Sequence, residues 1–246
     1  MNNIGFGIFC FGEDYYFKGT VEKINNIVDN GFQCYILTDN IEFFNKRYAP
    51  MYVHVIEYTR EFKSYSDKIL LSKYILKNHD ICVLIDADTH ITNYSFIHIL
   101  KKYEFKEGVT YIDTLLNHKT KKQFIHEFDM NGKDWKHYNS YTSILYPNFI
   151  QLELMWEYFL VINKNGFNDK DFYRHYERLQ VAKEYGDLLE NKGVNGAGEG
   201  ISIQVSSILS DTPIQRDATL YELIKNQMVS ISKRHTPRHL WPKWMI

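Results

Sequence analysis

Two carboxylates one residue apart, Asp86 and Asp88, stand directly after the apolar run Ile81–Ile85 and before Thr89. Carboxylates this close repel each other unless a cation lies between or beside them. Oxygen donors suit Mn²⁺ or Mg²⁺, and such ions commonly share their shell with substrate phosphates. An apolar run ending in Asp86-Ala87-Asp88 reads as a buried strand that delivers both groups to its C-terminal edge, where open α/β sheets bind ligands. The competing reading is a strand-end Asp that caps the following turn, with the second Asp solvated.

Two further stretches carry chemistry-bearing side chains. Gly193-Val194-Asn195-Gly196-Ala197-Gly198-Glu199-Gly200 precedes the apolar Ile201-Ser202-Ile203. It is not a phosphate-binding P-loop, because no Lys-Ser/Thr follows it. Glu199 at the start of a helix also complements the helix dipole. The segment Lys233–Trp244 is basic, aromatic and imidazole-bearing, with His235, His239 and Lys243. Such a tail suits a membrane surface or nucleic acid, or packs as a C-terminal strap.

The elements that must position these groups alternate strand and helix signals through the first 115 residues. Ile4–Cys10, Phe32–Leu37, Met51–Tyr58 and Ile81–Ile85 read as strands, and Tyr16–Asn30 and Ser66–Asn78 as helices. That alternation predicts an α/β fold with a mostly parallel central sheet flanked by helices. In the second half, Asn148–Ile162 and Asp169–Asn191 read as helices, Ser202–Leu209 as the beginning of a helix, Thr142–Tyr146 and Val109–Ile112 as weak strands, and Met228–Ile231 as a last strand. The expectation is one domain over 1–246 with a helical second half.

Composition narrows the class. With 44% hydrophobic and 24% charged residues and a net charge of −1, the chain is ordinary for a globular protein and shows no global attraction to polyanions. Its 19 Tyr and 16 Phe would suit sugar rings and bases, or reflect an AT-rich genome. Cys10, Cys34 and Cys82 each sit in an apolar run, as buried free thiols do in a reducing compartment. No signal-peptide pattern and no run of ~20 apolar residues occurs, so a cytoplasmic location, peripheral at the inner membrane surface if the tail docks there, is expected.

Asp67-Lys68-Ile69-Leu70-Leu71-Ser72-Lys73-Tyr74 leading to Val83-Leu84-Ile85-Asp86-Ala87-Asp88-Thr89 resembles the approach to the D-x-D of glycosyltransferase family eight, the glycogenin-like GT-A enzymes. Tyr35-Ile36-Leu37-Thr38-Asp39 resembles the second-strand ending of family six, the blood-group-transferase-like enzymes. The resemblance implies a GT-A fold with a nucleotide-sugar-binding half (1–115) and an acceptor half (116–246), whose tail (233–246) lies over the donor site. It implies that Asp88 ligates the metal, that Asp86 touches metal or ribose, and that Phe9–Asp14, including Phe11 and Asp14, surrounds the base and ribose. Asp39 would lie near the base, or cap the next helix. Lys68 matches a basic helix position that contacts the donor, or lies on a solvated face.

Family eight ends its catalytic domain with a His, a Gly and a Lys-Pro-Trp. This chain has Pro242-Lys243-Trp244 in place of Lys-Pro-Trp and no Gly between; the resemblance implies His235, at nearly the right distance before the Trp, as third metal ligand with His239 as competitor, and Lys243 on the diphosphate. Glu199 resembles the acidic helix start facing the acceptor: a base if the enzyme inverts, a stabiliser of the transition state if it retains, and the tail tilts the reading towards retention. The implied reaction is transfer from a nucleotide-sugar, UDP-sugar foremost, to a glycan, glycolipid or hydroxymethylated DNA. Asp86-Ala87-Asp88-Thr89 also satisfies the D-x-D-x-[TV] of haloacid dehalogenase-like phosphatases, with Asp86 as nucleophile. That nucleophile normally follows the first strand, and no downstream Asp-Asp pair completes its magnesium site. A non-catalytic nucleotide- or sugar-binding module is the third possibility.

Overall fold

The computed structural model describes residues 2–59, 65–114, 124–129, 135–139, 149–152, 155–181 and 197–230. Strand β1 (Ile4–Cys10) runs into helix α1 (Asp14–Asp29), and β2 (Gln33–Thr38) into the short α2 (Ile41–Asn45). Strand β3 (Val53–Glu57) precedes a 3₁₀ segment (Tyr65–Leu71) continued by α3 (Ser72–Ile75). Then come β4 (Ile81–Asp86), β5 (Thr89–Ile91), α4 (Phe96–Leu100) and β6 (Gly108–Thr114). Strands β7 (Phe124–Asp129), β8 (Trp135–Asn139), β9 (Phe149–Leu152) and β10 (Met155–Asn163) follow. The described chain ends with α5 (Asp169–Val181), α6 (Ala197–Leu209), β11 (Ile214–Arg216), α7 (Ala218–Ile224) and β12 (Met228–Ser230).

Seven strands form the central sheet in the order β11-β6-β10-β4-β1-β2-β3. Only β10 runs against its neighbours β4 and β6; every other pair is parallel. The expected mostly parallel sheet flanked by helices is therefore what the chain forms. Alternation along β1 and β4 divides the core into two layers. Phe6, Ile8, Val83 and Ile85 pack with Ile24 and Ile27 of α1 on one face. Phe9, Cys82 and Leu84 pack with Ile69, Leu71 and Ile75 on the other. Burying each such side chain contributes about 1.5–3 kcal/mol, which is why runs apolar at every position form these central strands.

Gly5 and Gly7 of β1 face the second layer, and there the 3₁₀ segment and α3 approach closest. A Cβ on Gly7 would lie 2.6 Å from Leu84 Cδ2 and 2.8 Å from Ile75 Cδ1. Helix α5 clamps that segment from outside: the Tyr173 hydroxyl hydrogen-bonds Ser72 Oγ, and Lys73 pairs with Glu177. Two small sheets complete the architecture, β8-β7-β9 and the pair β5-β12. All three cysteines are free and buried, as expected. Burial pushes the Cys10 and Cys34 thiols up to about 12, which keeps them protonated. Among the described residues no helix is long and apolar enough to cross a membrane.

Three sequence expectations are corrected. Asn148–Ile162 does not form a helix; its described part is β9 and β10. The continuous apolar stretch there carries no period that separates helix from strand, and Tyr158-Phe159-Leu160-Val161-Ile162 is buried in the sheet centre between β4 and β6. The second half is accordingly not predominantly helical: six of its described elements are strands, β7 to β12. Ser66–Asn78 is a 3₁₀ turn and one short α-turn, because Asp67, Lys68, Ile69, Leu71 and Ser72 are all buried, wider than one stripe of a regular helix. Val109–Ile112 falls on β6 as expected, and Met228–Ser230 of the expected last strand form β12, with Ile231 outside the described residues. Thr142–Tyr146 and the continuation of α5 to Asn191 lie outside the described residues.

Candidate active site

The register of the parallel strands brings the predicted residues to one sheet edge. Phe9 pairs with both Leu37 and Asp86, and Cys10 with Thr38, so Phe11, Asp39 and the Ala87-Asp88 turn all leave the sheet at the same end. Strand alternation decides which way each carboxylate goes. Asp86 continues the Cys82-Leu84 face and meets the 3₁₀ segment, where Lys68 Nζ donates to Asp86 Oδ1 at 2.5 Å. The Lys68 side chain is 3% exposed and Asp86 32%, so this pair is shielded from water on the lysine side only. The expected donor-side lysine is thus not on a solvated helix face; it is buried and aimed at the D-x-D.

Lys68 is held in turn by its neighbours. Asp67 is buried beside it and accepts from the Tyr58 hydroxyl. The Tyr58 ring lies 4.8 Å from Phe9 and 5.8 Å from Phe11, and Phe9 and Phe11 are 4.7 Å apart. These three rings form an aromatic wall at the end of β1, with Phe11 the partly exposed member. Asp14 opens α1, exposed, one residue after the N-cap Glu13. Asp39 is exposed in the turn after β2. The capping alternative for it fails, since Asn40 accepts from Phe43 N and caps α2.

Asp88 is the electrically strained member. Burial first and the charge of Asp86 second push its carboxyl up to about 7, against the opposing pull of Lys23 and Lys68. Lys23 was not singled out from the sequence. It lies on α1 with 2% exposure and donates to Ala87 O at 2.8 Å and Gly19 O at 3.2 Å. Burial lowers its ammonium to about 8, with Asp88 the largest opposing influence. A lysine in register with Thr20, Ile24 and Ile27 on a buried stripe is the signal that marks it.

The second half contributes by backbone. Strand β5 follows the turn at once and pairs antiparallel with β12: Ile91 with Met228, His90 with Val229, Thr89 with Ser230. Ser230, the last described residue, therefore lies opposite the residue that follows Asp88. His235, His239 and Lys243 lie outside the described residues. Glu199 falls in the first turn of α6, which packs on β10 and the 3₁₀ segment; its side chain is outside the described set. Among the described residues no group of three or more metal-ligating side chains occurs. The described edge thus supplies two oxygen donors, two buried ammonium groups and an aromatic wall.

No family model matches the sequence, and no curated protein matches it. Among solved structures the chain is similar to galactosyltransferase LgtC in complex with donor and acceptor sugar analogs, at 10% identity over 96% of this chain and 81% of that one, TM-score 0.49. It is similar to the apo structure of the bifunctional glycosyltransferase WbbM at 11% identity, covering 88% of this chain and 39% of that one, TM-score 0.49. A third is CMP:2-keto-3-deoxy-manno-octonic acid synthetase complexed with CTP, at 11% identity over 87% of this chain and 89% of that one, TM-score 0.46. The chain spans well under half of the WbbM chain. At these identities and scores the likenesses identify neither a family nor an activity.

Proposed function

We propose that the chain is a metal-dependent glycosyltransferase that moves a sugar from a nucleotide-sugar, UDP-sugar foremost, to a hydroxyl acceptor. The observation that carries this reading is the pairing of β12 with β5, which sets Ser230, the last described residue, opposite Thr89 and so next to Asp88. The phosphatase string needs no such partner, and here its would-be nucleophile Asp86 is engaged by a buried ammonium.

The donor set fits a hard divalent cation. Two carboxylates meet at a sheet edge, where burial first and the charge of Asp86 second raise Asp88 against the pull of Lys23 and Lys68. Asp86, Asp88 and, from the tail, His235 would hold Mn²⁺ or Mg²⁺, with Mn²⁺ accepting the imidazole more readily. The ion would supply neutralisation of the diphosphate charge that grows as the nucleotide departs. Lys68 orients Asp86 and presents a fixed positive charge to the same region, and Lys243 would add a second from the tail. Phe11 offers a ring face to base or ribose. Glu199 at the head of α6 would face the acceptor: a base for inversion, or a stabiliser of the oxocarbenium-like transition state for retention, which the family-eight resemblance favours.

A donor screen tests the reading: nucleotide release from UDP-, GDP- and CMP-sugars in Mn²⁺, with thermal shifts recorded alongside. Release from one donor, lost on adding chelator, is the expected result. No release and no shift with any donor would sink the transferase assignment. Hydrolysis of simple phosphate esters without a nucleotide would hand the site to the phosphatase reading instead.

A further inference from the structure

We infer that Lys23 is a positioning residue for the carboxylate pair, fixing the Ala87 peptide from behind so that Asp86 and Asp88 are directed towards the cation. The inference rests on the metal-site reading above and deepens it. Position 23 lies on the buried stripe of α1 among Thr20, Ile24 and Ile27, where an apolar side chain would satisfy the packing. A buried ammonium there costs solvation that packing alone does not return. What it gains is specific: its Nζ reaches across from α1 to the carbonyl of the one residue between the two carboxylates, at 2.8 Å.

Peptide units are planar, so a carbonyl fixed at Ala87 also fixes the direction of the Asp88 N–H, and with it the origin of the Asp88 side chain. On the opposite face of the sheet Lys68 holds Asp86 itself. The turn is thus pinned from two sides by two ammonium groups, one through the backbone and one through a carboxylate. The two possible effects of Lys23 on a cation have opposite signs. Its charge opposes a neighbouring cation, whereas its hydrogen bond preorganises the ligands for one. The geometry, with the bond to the Ala87 carbonyl at 2.8 Å, assigns the second effect.

The test is Mn²⁺ titration of wild type, Lys23→Met and Lys23→Gln, read by the electron paramagnetic resonance of free and bound ion. Glutamine keeps a donor for the Ala87 carbonyl and removes the charge. Lys23→Met should bind Mn²⁺ about tenfold more weakly or worse, with a broadened bound-ion spectrum, as outer-shell losses do. Lys23→Gln should stay close to wild type in affinity and spectrum. Unchanged or tighter binding by Lys23→Met overturns the inference, as does a Lys23→Gln chain with a tenfold loss. If Lys23→Met does not fold, the Lys23→Gln result decides alone. A wild-type chain that binds no Mn²⁺ would overturn the metal site itself, an outcome distinct from binding that ignores position 23.

Discussion

Asp86 and Asp88 are one residue apart and chemically alike, yet the fold treats them differently. Asp88 is partly buried and repelled, with a carboxyl raised to about 7, while Asp86, 32% exposed, answers a buried lysine. Neutralising each should therefore have opposite effects on the metal-free protein. Asp88→Asn removes a repelled charge, so in chelator its Tm should equal or exceed wild type by about 2–4 °C, the shift about 1 kcal/mol gives at this chain length. Asp86→Asn takes the carboxylate from a Lys68 ammonium that is itself buried, and should destabilise by about 1–3 kcal/mol. Calorimetry with and without Mn²⁺ checks both. The wild type should rise in Tm with Mn²⁺, as any ligand of the native state makes it do, and neither variant should. A drop for Asp88→Asn in chelator would make that residue structural.

Between elements, the approach of the 3₁₀ segment to β1 decides whether Lys68 arrives at Asp86 at all. Gly7 permits it, because a methyl there would collide with Leu84, Ile75 and Leu71 at 2.6, 2.8 and 3.0 Å. Gly7→Ala should cost about 1–3 kcal/mol of stability, the usual range for overpacking, and weaken Mn²⁺ binding by displacing Lys68. Gly12→Ala is the control: its φ of +93° strains the variant, but no atom lies within 4 Å, so only stability should fall. Equal Mn²⁺ affinity in both variants would sever the link between packing and site. Much at this scale was legible in sequence. The continuous apolar runs Ile4–Cys10 and Ile81–Ile85 could only be strands covered on both faces, and they set the edge where Asp86 and Asp88 stand. What was not legible had two physical causes. Residues 158–162 are apolar throughout, so their strand character comes from the slot between β4 and β6 and not from a period of their own. Lys23 shares its helix stripe with Thr20, Ile24 and Ile27, but the Ala87 carbonyl it meets comes into view only when α1 is laid on the sheet.

At the scale of the molecule, the site depends on joining residue 89 to residue 230. The β5-β12 pair makes that join, and it fixes where the last stretch of chain begins. In sequence His235 follows Ser230 by five residues, a length that an extended chain spans in about 17 Å at most. We propose His235 as the third ligand, with Lys243 meeting the diphosphate. His235→Ala should weaken Mn²⁺ binding by about 10–100-fold, the scale on which metal sites respond to loss of support, while Tm in chelator stays within about 1 °C. His239→Ala should leave the affinity unchanged. Titration of both variants beside wild type separates the cases. Loss in His239→Ala alone would move the ligand by four residues and keep the architecture. With loss in neither, the three-ligand site would fall, and the Asp86-Ala87-Asp88 turn and its two lysines would have to be explained by a two-carboxylate site.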